Sequence, residues 1–229
     1  MSENPLLSFL KFQATVNASL TDKEVIAIRH DLAEFTSVQF SKVASELHKT
    51  ESDAEQERVN EAVALILEIG SSLISGANTL FSLGNTYAAA ALVRQLVEVE
   101  YLAWAFEDDK KEAEKWIVSD KEERMKFFTP AKLRKAAQGR FRSKDYGYHC
   151  ELGGHPVPGA NVLLENAELQ AQLLLSDMLG HAGRIWDHLV SWADGEKKQN
   201  VVLAHKEKML ERYIAWKQAD ITTRMPPPP

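Results

Sequence analysis

Apolar residues recur every three to four positions along most of the chain, and this is the period of an α-helix packed on one side. Three stretches fit the capping box that opens a helix: TDKE at 21–24, SDAE at 52–55 and SDKE at 119–122. The first two open long periodic segments, which predict helices to about residue 49 and over about 53–83. Asn85 then follows a glycine and is placed to cap the next helix.

Residues 87–106 are apolar on nearly every side of a helix, yet they include Arg94 and Glu98. Helices of this kind are usually buried, so we predict a central buried helix near residues 86–107. Arg94 and Glu98 lie four residues apart and therefore on one face, whereas Glu100 is expected to point elsewhere. Because a buried charge is tolerated mainly when it is paired, the pattern predicts a buried ion pair that stabilises the core or lines a ligand site.

Beyond this helix the periodic pattern is interrupted over residues 139–159, where five glycines and two prolines predict a long structured loop. Two further helices are predicted at about 162–193 and 197–218. No segment alternates polar and apolar residues as a half-buried strand does. The sequence therefore predicts an all-α bundle of about six to eight helices, with one domain over 1–219 and a disordered proline-rich tail over 220–229.

Composition narrows the range of functions. Hydrophobic residues make up 45% and charged residues 26% of the 229 residues, which are ordinary values for a globular protein. The net charge of −6 gives no chain-wide reason to expect nucleic acid or an anionic membrane as partner. Cys150 is the single cysteine, so no internal disulfide can form, and a reducing, cytoplasmic setting is expected. We also expect no membrane partner, since Arg94, Glu98 and Glu100 would be costly in lipid.

The segment YGYHCELGGHPVP at 146–158 gathers side chains that can take part in chemistry. They are Tyr146, Tyr148, His149, Cys150, Glu151 and His155. His149, Cys150 and His155 are soft metal ligands, but their spacing matches no closed zinc site, so we predict neither a metal nor another cofactor. His155 precedes a proline, which favours an extended backbone, and its ring is a candidate to face the Arg94 helix. The alternative is that this histidine satisfies loop carbonyls or caps a helix end.

Asp177, His181, Arg184 and His188 follow one another at steps of four, three and four in a predicted helix, and so share one face. A solvated edge is the usual explanation of such a row. The alternative is a ligand site in which Asp177 fixes the tautomer of His181. A metal site built from the loop histidines and Cys150, or from His181 and His188, is a third option.

Residues 124–144 reverse the sign of the overall charge, since they contain eight basic residues and no acidic one. The basic residues are Arg124, Lys126, Lys132, Arg134, Lys135, Arg140, Arg142 and Lys144. Phe127, Phe128 and Phe141 are interleaved with them, which suits either base stacking or core packing. The two interpretations are a solvated helix face and a patch that binds the phosphate backbone of RNA.

An R-x-x-x-E helix followed about fifty residues later by a tyrosine-rich segment ending in His-Pro resembles a family of bacterial all-helical proteins. The residues that carry the resemblance are Arg94, Glu98, Tyr146, Cys150 and His155. That family is similar to the HEPN superfamily, which includes metal-independent ribonucleases of toxin and phage-defence systems. The resemblance covers about residues 85–190 and implies an all-helical fold.

HEPN nucleases carry an R-x(4–6)-H motif and usually work across a dimer interface. In this chain Arg142 and His149 have that gap, whereas Arg184 and His188 are separated by three residues. The resemblance implies a homodimer in which an arginine stabilises the charge of a phosphate and a histidine acts as general base on a 2′-hydroxyl.

The expected function is therefore that of a HEPN-like defence or toxin protein acting as a metal-independent ribonuclease. Its predicted catalytic residues are Arg94, Glu98, Tyr146 and His155. Its predicted ligand-binding residues are Arg140, Arg142, His149, His181, Arg184 and His188. The alternative is a non-catalytic helical interaction protein, also dimeric, in which the Arg94–Glu98 pair is structural.

Overall fold

The computed structural model describes the backbone of residues 5–141, 143–165, 167–195 and 200–224, with side chains except at 5–12, 143–145, 154 and 200. Within these ranges the chain forms twelve α-helices and no β-strand, which confirms the predicted all-α class. The count exceeds the predicted six to eight because six of the helices are short, with nine residues or fewer.

The helices have the following bounds. Before residue 140 they are α1 (Pro5–Thr21), α2 (Lys23–Leu47), α3 (Ala54–Ser82), α4 (Thr86–Asp108), α5 (Lys110–Val118), α6 (Lys121–Phe127) and α7 (Pro130–Ala136). After residue 140 they are α8 (Ser143–His149), α9 (Val162–Glu165), α10 (Ala167–Gly195), α11 (Asn200–Ala204) and α12 (Lys206–Ala219). A π-helical turn (Cys150–Gly154) and 3₁₀ turns at Pro158–Asn161 and Ile221–Arg224 complete the described chain.

Helix α4 lies at the centre of the bundle, as predicted, between α3 and α10, with α5, α7, α8 and the π-helical turn also packed on it. Its residues Val93, Leu96 and Val97 are wholly buried. Helix α2 packs on the other side of α3. Since each buried aliphatic side chain contributes about 1.5–3 kcal/mol relative to exposure, the central position of α4 follows from its nearly continuous apolar surface.

The capping residues are displaced from the three predicted capping boxes by one position. In each case the aspartate that follows the predicted Ser or Thr is the N-cap: Asp22, Asp53 and Asp120 accept hydrogen bonds from backbone N–H groups of α2, α3 and α6. Glu123 completes a true capping box with Asp120. An ionised carboxylate is the stronger acceptor and is favoured by the helix dipole, which explains the displacement. The predicted cap by Asn85 on α4 is confirmed.

The loop predicted over residues 139–159 is wrong in its central part, which is helical. Gly147 lies inside α8, and Gly153 lies in the π-helical turn. A Cβ at Gly153 would lie 2.5 Å from the backbone of Ala90 and Ala91 in α4. This glycine therefore permits a close approach between two helical segments, and the sequence pattern alone could not distinguish that use from a turn.

The predicted tail at 220–229 also differs from the structure over its first five residues. Asp220 is wholly buried, and its Oδ2 accepts a hydrogen bond from Arg29 Nε at 2.7 Å. The 3₁₀ turn Ile221–Arg224 packs against α1 and α10. Residues 225–229 lie outside the described ranges.

Of the described helices, only α3 is long and apolar enough to cross a membrane by length and composition. A core helix of a soluble protein has the same properties. In the bundle 44% of the apolar window of α3 is buried, in keeping with its position between α2 and α4.

Candidate functional site

Three of the four predicted catalytic residues meet on one side of α4. Arg94 Nη1 donates to Glu98 Oε1 at 2.6 Å and to Tyr146 Oη at 2.8 Å. Tyr146 Oη in turn donates to the same Glu98 Oε1 at 2.9 Å. The two α4 residues are one turn apart, and α8 brings Tyr146 against them. We call Arg94, Glu98 and Tyr146 the α4 triad.

The α4 triad is partly exposed rather than buried, which corrects the prediction of a buried ion pair. The side chains of Arg94 and Glu98 are 26% and 33% exposed. The buried charge on this helix is Glu100, which is 3% exposed. The sequence pattern predicted that Glu100 points away from the face of Arg94 and Glu98. A helix in the middle of a bundle contacts neighbouring helices on nearly every side. The period of apolar residues therefore cannot show which residues of α4 face solvent.

The environment of the triad keeps Arg94 charged and Tyr146 protonated. Burial acts to lower the pKa of Arg94, but the negative charge of Glu98, with contributions from Tyr146 and Cys150, raises it above its usual value. Burial, together with the hydrogen bond to Glu98, raises the pKa of Tyr146 to about 12. At neutral pH the tyrosine is therefore a hydrogen-bond donor and a source of a proton, not a base.

One basic side chain of the segment 124–144, Arg134, contacts the triad. The Arg134 guanidinium lies 4.4 Å from the centroid of the Tyr146 ring, which is a cation–π contact. Lys126, Lys132 and Lys135 are exposed on the neighbouring helices. Phe141 packs on Tyr101 at 4.4 Å between ring centroids, so this aromatic residue serves the core rather than base stacking.

His155, the fourth predicted catalytic residue, does not join the triad. Its ring is exposed, and among the described residues no hydrogen bond links it to Arg94 or Glu98. Its backbone is held by two hydrogen bonds: the N–H donates to Cys150 O at 3.2 Å, and the carbonyl oxygen accepts from Tyr87 Oη at 3.5 Å. Tyr87 precedes Arg94 by two helical turns, which is about 10 Å along the axis.

A second cluster of polar side chains lies between α8 and α10. His149 Nε2 lies 3.1 Å from His181 Nε2 and 3.2 Å from Asp177 Oδ2. Both imidazole rings are 1% exposed, whereas the Asp177 side chain is 37% exposed. His149 directly precedes Cys150, the neighbour of Arg94, so the α8 segment connects this cluster with the triad. The sequence analysis had placed His149 and His181 in separate candidate metal sites.

Glu100 holds His181 in place. His181 Nδ1 lies 2.5 Å from Glu100 Oε2, and Arg184 Nε donates to Glu100 Oε1 at 2.8 Å. Burial alone would raise the pKa of Glu100, but His181 and Arg184 lower it to about 2. Because an ionised carboxylate can only accept, the Nδ1 atom of His181 carries the proton, although Arg184 Nη2 also lies 2.7 Å from this atom.

The remaining predicted ligand-binding residues lie elsewhere. His188 Nδ1 makes a short hydrogen bond with Glu107, and the exposed Arg140 lies 3.9 Å from the same carboxylate. Arg142 lies outside the described residues. The ring of His149, the other residue of the Arg142–His149 spacing, is directed into the buried cluster.

Glu100 is the functional residue that the sequence analysis missed. Its signal was present, since an ionisable group inside a nearly continuous apolar helix requires a partner. The partners, His181 and Arg184, are more than eighty positions away along the chain. No local pattern could therefore identify them.

No protein-family model, curated protein or solved structure matches the chain. The α4 triad, the histidine cluster and the residues that surround them are therefore the features that indicate a function.

Proposed function

We propose that the chain is a HEPN-like, cytoplasmic helical protein that cleaves RNA at the α4 triad without a metal in the chemical step. The observation that supports this most is the closed hydrogen-bonded triangle of Arg94, Glu98 and Tyr146, which is open to solvent on one side. It combines a permanent positive charge, a carboxylate and a protonated hydroxyl within hydrogen-bond distance of each other. The attack of a 2′-hydroxyl on a phosphodiester requires these three kinds of group.

Each group has a role that its environment favours. Glu98 removes the proton of the 2′-hydroxyl, whose oxygen attacks phosphorus, and Arg94 neutralises the charge that develops on the phosphoryl oxygens. Tyr146 gives its proton to the 5′-oxygen as the P–O5′ bond breaks. The proton on Glu98 then returns to Tyr146 across their 2.9 Å hydrogen bond. The products are a 2′,3′-cyclic phosphate and a 5′-hydroxyl end.

The described part of the segment 124–144 supports RNA as the substrate. Arg134 contacts the ring of Tyr146, and Lys132 and Lys135 are exposed on the same helix, α7. Cations placed in this way bind a phosphate backbone irrespective of base sequence and lead it towards the triad. Cleavage across a homodimer interface, as in HEPN nucleases, is part of this proposal.

The decisive experiment is cleavage of total RNA by the purified chain in EDTA. We expect the wild type to leave cyclic phosphate ends, and Glu98→Gln and Tyr146→Phe to lower the initial rate by about 10²–10⁴-fold, because each removes one proton-transfer group. Tyr146→Phe retains the ring and its packing, so a loss of rate without a loss of melting temperature identifies the hydroxyl. His155→Ala should retain the rate within a few-fold.

A matched control is another Arg–Glu pair, Arg58 and Glu114, whose side chains are also partly exposed. Arg58→Ala should cleave RNA as the wild type does, whereas Arg94→Ala should not. Equal, background-level cleavage by the wild type and all variants would contradict the proposal.

The alternative is a non-catalytic interaction protein. It is favoured by the hydrogen bonds that the three triad side chains make with one another, because such bonds also occur in purely structural clusters. It predicts an inactive wild type in which Arg94→Ala changes only stability. The effect should then be about 1 kcal/mol or less, since the pair is partly solvated.

A further inference from the structure

We propose that His149, Asp177 and His181 form a binding site for one divalent transition-metal ion of the Zn²⁺ class. This inference is independent of the proposed ribonuclease activity, and it departs from the sequence-based prediction that the chain holds no metal. It rests on which atoms of the three side chains converge and on what holds them there.

The donor atoms have the separations of ligands that share one ion. The two Nε2 atoms are 3.1 Å apart, and carboxylate oxygens of Asp177 lie 3.2 Å from His149 Nε2 and 3.7 Å from His181 Nε2. All three ligand atoms lie within 4.8 Å of one another. An ion at the usual Zn–N distance of about 2.0–2.1 Å from both nitrogens would subtend an N–metal–N angle of roughly 100°. That angle suits two neighbouring ligands of a tetrahedral or five-coordinate ion.

The ligand types indicate the class of metal. Two imidazoles and one carboxylate suit Zn²⁺ and its neighbours in the first transition series rather than Ca²⁺ or Mg²⁺, which prefer oxygen ligands. Three protein ligands leave one coordination position for water. The side chain of Asp177 is 37% exposed, so the cluster has a path to solvent, whereas both histidines are fixed inside the protein.

The surroundings of His181 are those of a metal ligand. Glu100 Oε2 accepts a hydrogen bond from the Nδ1–H of His181, which leaves the lone pair on Nε2 directed at His149 and Asp177. Arg184 holds the other oxygen of Glu100 at 2.8 Å. Carboxylates placed in this way fix the tautomer of metal-bound histidines and increase their basicity.

Hydrogen bonds alone, without a metal ion, would leave one polar atom of the cluster without a partner. In that case His149 would donate from Nε2 to His181, since the lone pair of His181 Nε2 can only accept. Asp177 Oδ2, an atom with no solvent access, would then lie beside these nitrogens and accept no hydrogen bond from any described residue. One cation satisfies both nitrogens and the carboxylate together.

A metal here would join three helices of the bundle, α4, α8 and α10. It would tie α8 to α10 through His149 and Asp177, and to α4 through Glu100 and His181. Helix α8 carries Tyr146 only three residues, or about one turn, before His149. Binding should therefore raise the melting temperature of the whole bundle.

The test uses the full chain after removal of metals with EDTA and dialysis. Titration with Co²⁺, followed by its visible absorption, and with Zn²⁺, followed by calorimetry, should show one equivalent bound per chain and a higher melting temperature. Asp177→Asn and His149→Asn should weaken binding by about tenfold or more. The control is His48→Asn, which removes an exposed histidine 3.3 Å from Glu68 and should bind as the wild type does.

A measurement on the wild type alone covers the case in which a variant fails to fold. X-ray absorption at the zinc edge should give two imidazole nitrogens at about 2.0–2.1 Å. No saturable binding of one equivalent, unchanged binding by both folded variants, or fewer than two imidazole ligands would overturn the proposal.

Discussion

At the scale of single residues, buried charges are held in place by partners that are distant along the chain. Arg29 is wholly buried, and its guanidinium bonds both carboxylate oxygens of Asp220 at 2.7 and 2.8 Å and the side-chain oxygen of Gln172 at 3.0 Å. Glu100 is held in the same manner by His181 and Arg184. By contrast, Arg94 and Glu98 are neighbours on one helix and remain partly exposed. The pair that the sequence makes conspicuous is thus the less buried one.

Asp220→Asn should lower the free energy of unfolding by about 3–5 kcal/mol, because it leaves the charge of Arg29 buried without its counter-ion. Urea denaturation at neutral pH measures this change. The matched control is Glu114→Gln, which removes the carboxylate from the partly exposed pair with Arg58 and should cost about 1 kcal/mol or less. Equal effects of the two substitutions would contradict the assignment of Arg29–Asp220 as a buried pair.

At the scale of helices and turns, the segment from α8 through the π-helical turn positions both polar clusters. Tyr146 and Cys150 lie next to Arg94, whereas His149 is directed at His181. The segment reaches α4 so closely because Gly153 has no side chain there. The geometry of the triad and of the histidine cluster therefore depends on this one contact between segments.

Gly153→Ala should lower stability by about 1–3 kcal/mol, because its Cβ would overlap the backbone of α4 at 2.5 Å. Gly147→Ala is the matched control in the same segment, since no described atom lies within 4 Å of a Cβ added there. Alanine inside a helix should stabilise that variant by up to about 1 kcal/mol. Melting curves of the two variants compare them directly, and a Gly153→Ala protein as stable as Gly147→Ala would show that the close approach is unimportant.

At the scale of the whole molecule, the two buried carboxylates link folding stability to pH. Burial acts to raise the pKa of Glu100, but His181 and Arg184 lower it from 4.5 to about 2. Burial also acts to raise the pKa of Asp220, but Arg29 and Thr222 lower it from 3.8 to about 2. A carboxylate whose pKa is lower in the folded state binds fewer protons than it does in the unfolded chain. Its contribution to stability is therefore complete above about pH 5 and lost progressively as the pH falls towards 2.

We expect the free energy of unfolding, measured in urea, to fall steeply between about pH 5 and pH 2.5. Asp220→Asn and Glu100→Gln should each show a shallower fall than the wild type over this interval, because one linked proton is removed. The same pH dependence in the wild type and both variants would show that these carboxylates do not carry the linkage.

The ends of the long helices α2, α3 and α4 follow from the sequence to within one or two residues. The period of apolar positions predicted the long helices, the central position of α4 and the cap by Asn85, because helix formation depends on neighbours three and four positions apart. A Ser or Thr followed by Asp marked three helix starts, and in each case the Asp, one position after the predicted cap, is the N-cap residue. These properties are set within a single segment, so a single segment is sufficient to predict them.

The site was determined by contacts that no segment contains. Local spacing indicated Arg94 and Glu98, and the family resemblance added Tyr146 to the same candidate site. The prediction also included His155, whose ring lies apart from them. Asp177 and His181 share a face of α10, as their spacing predicted, but only the packing of α8 and α10 on α4 brought His149 and Glu100 to His181. The physical reason is that a helix pattern fixes which residues share a face, whereas the packing of the helices decides which faces meet.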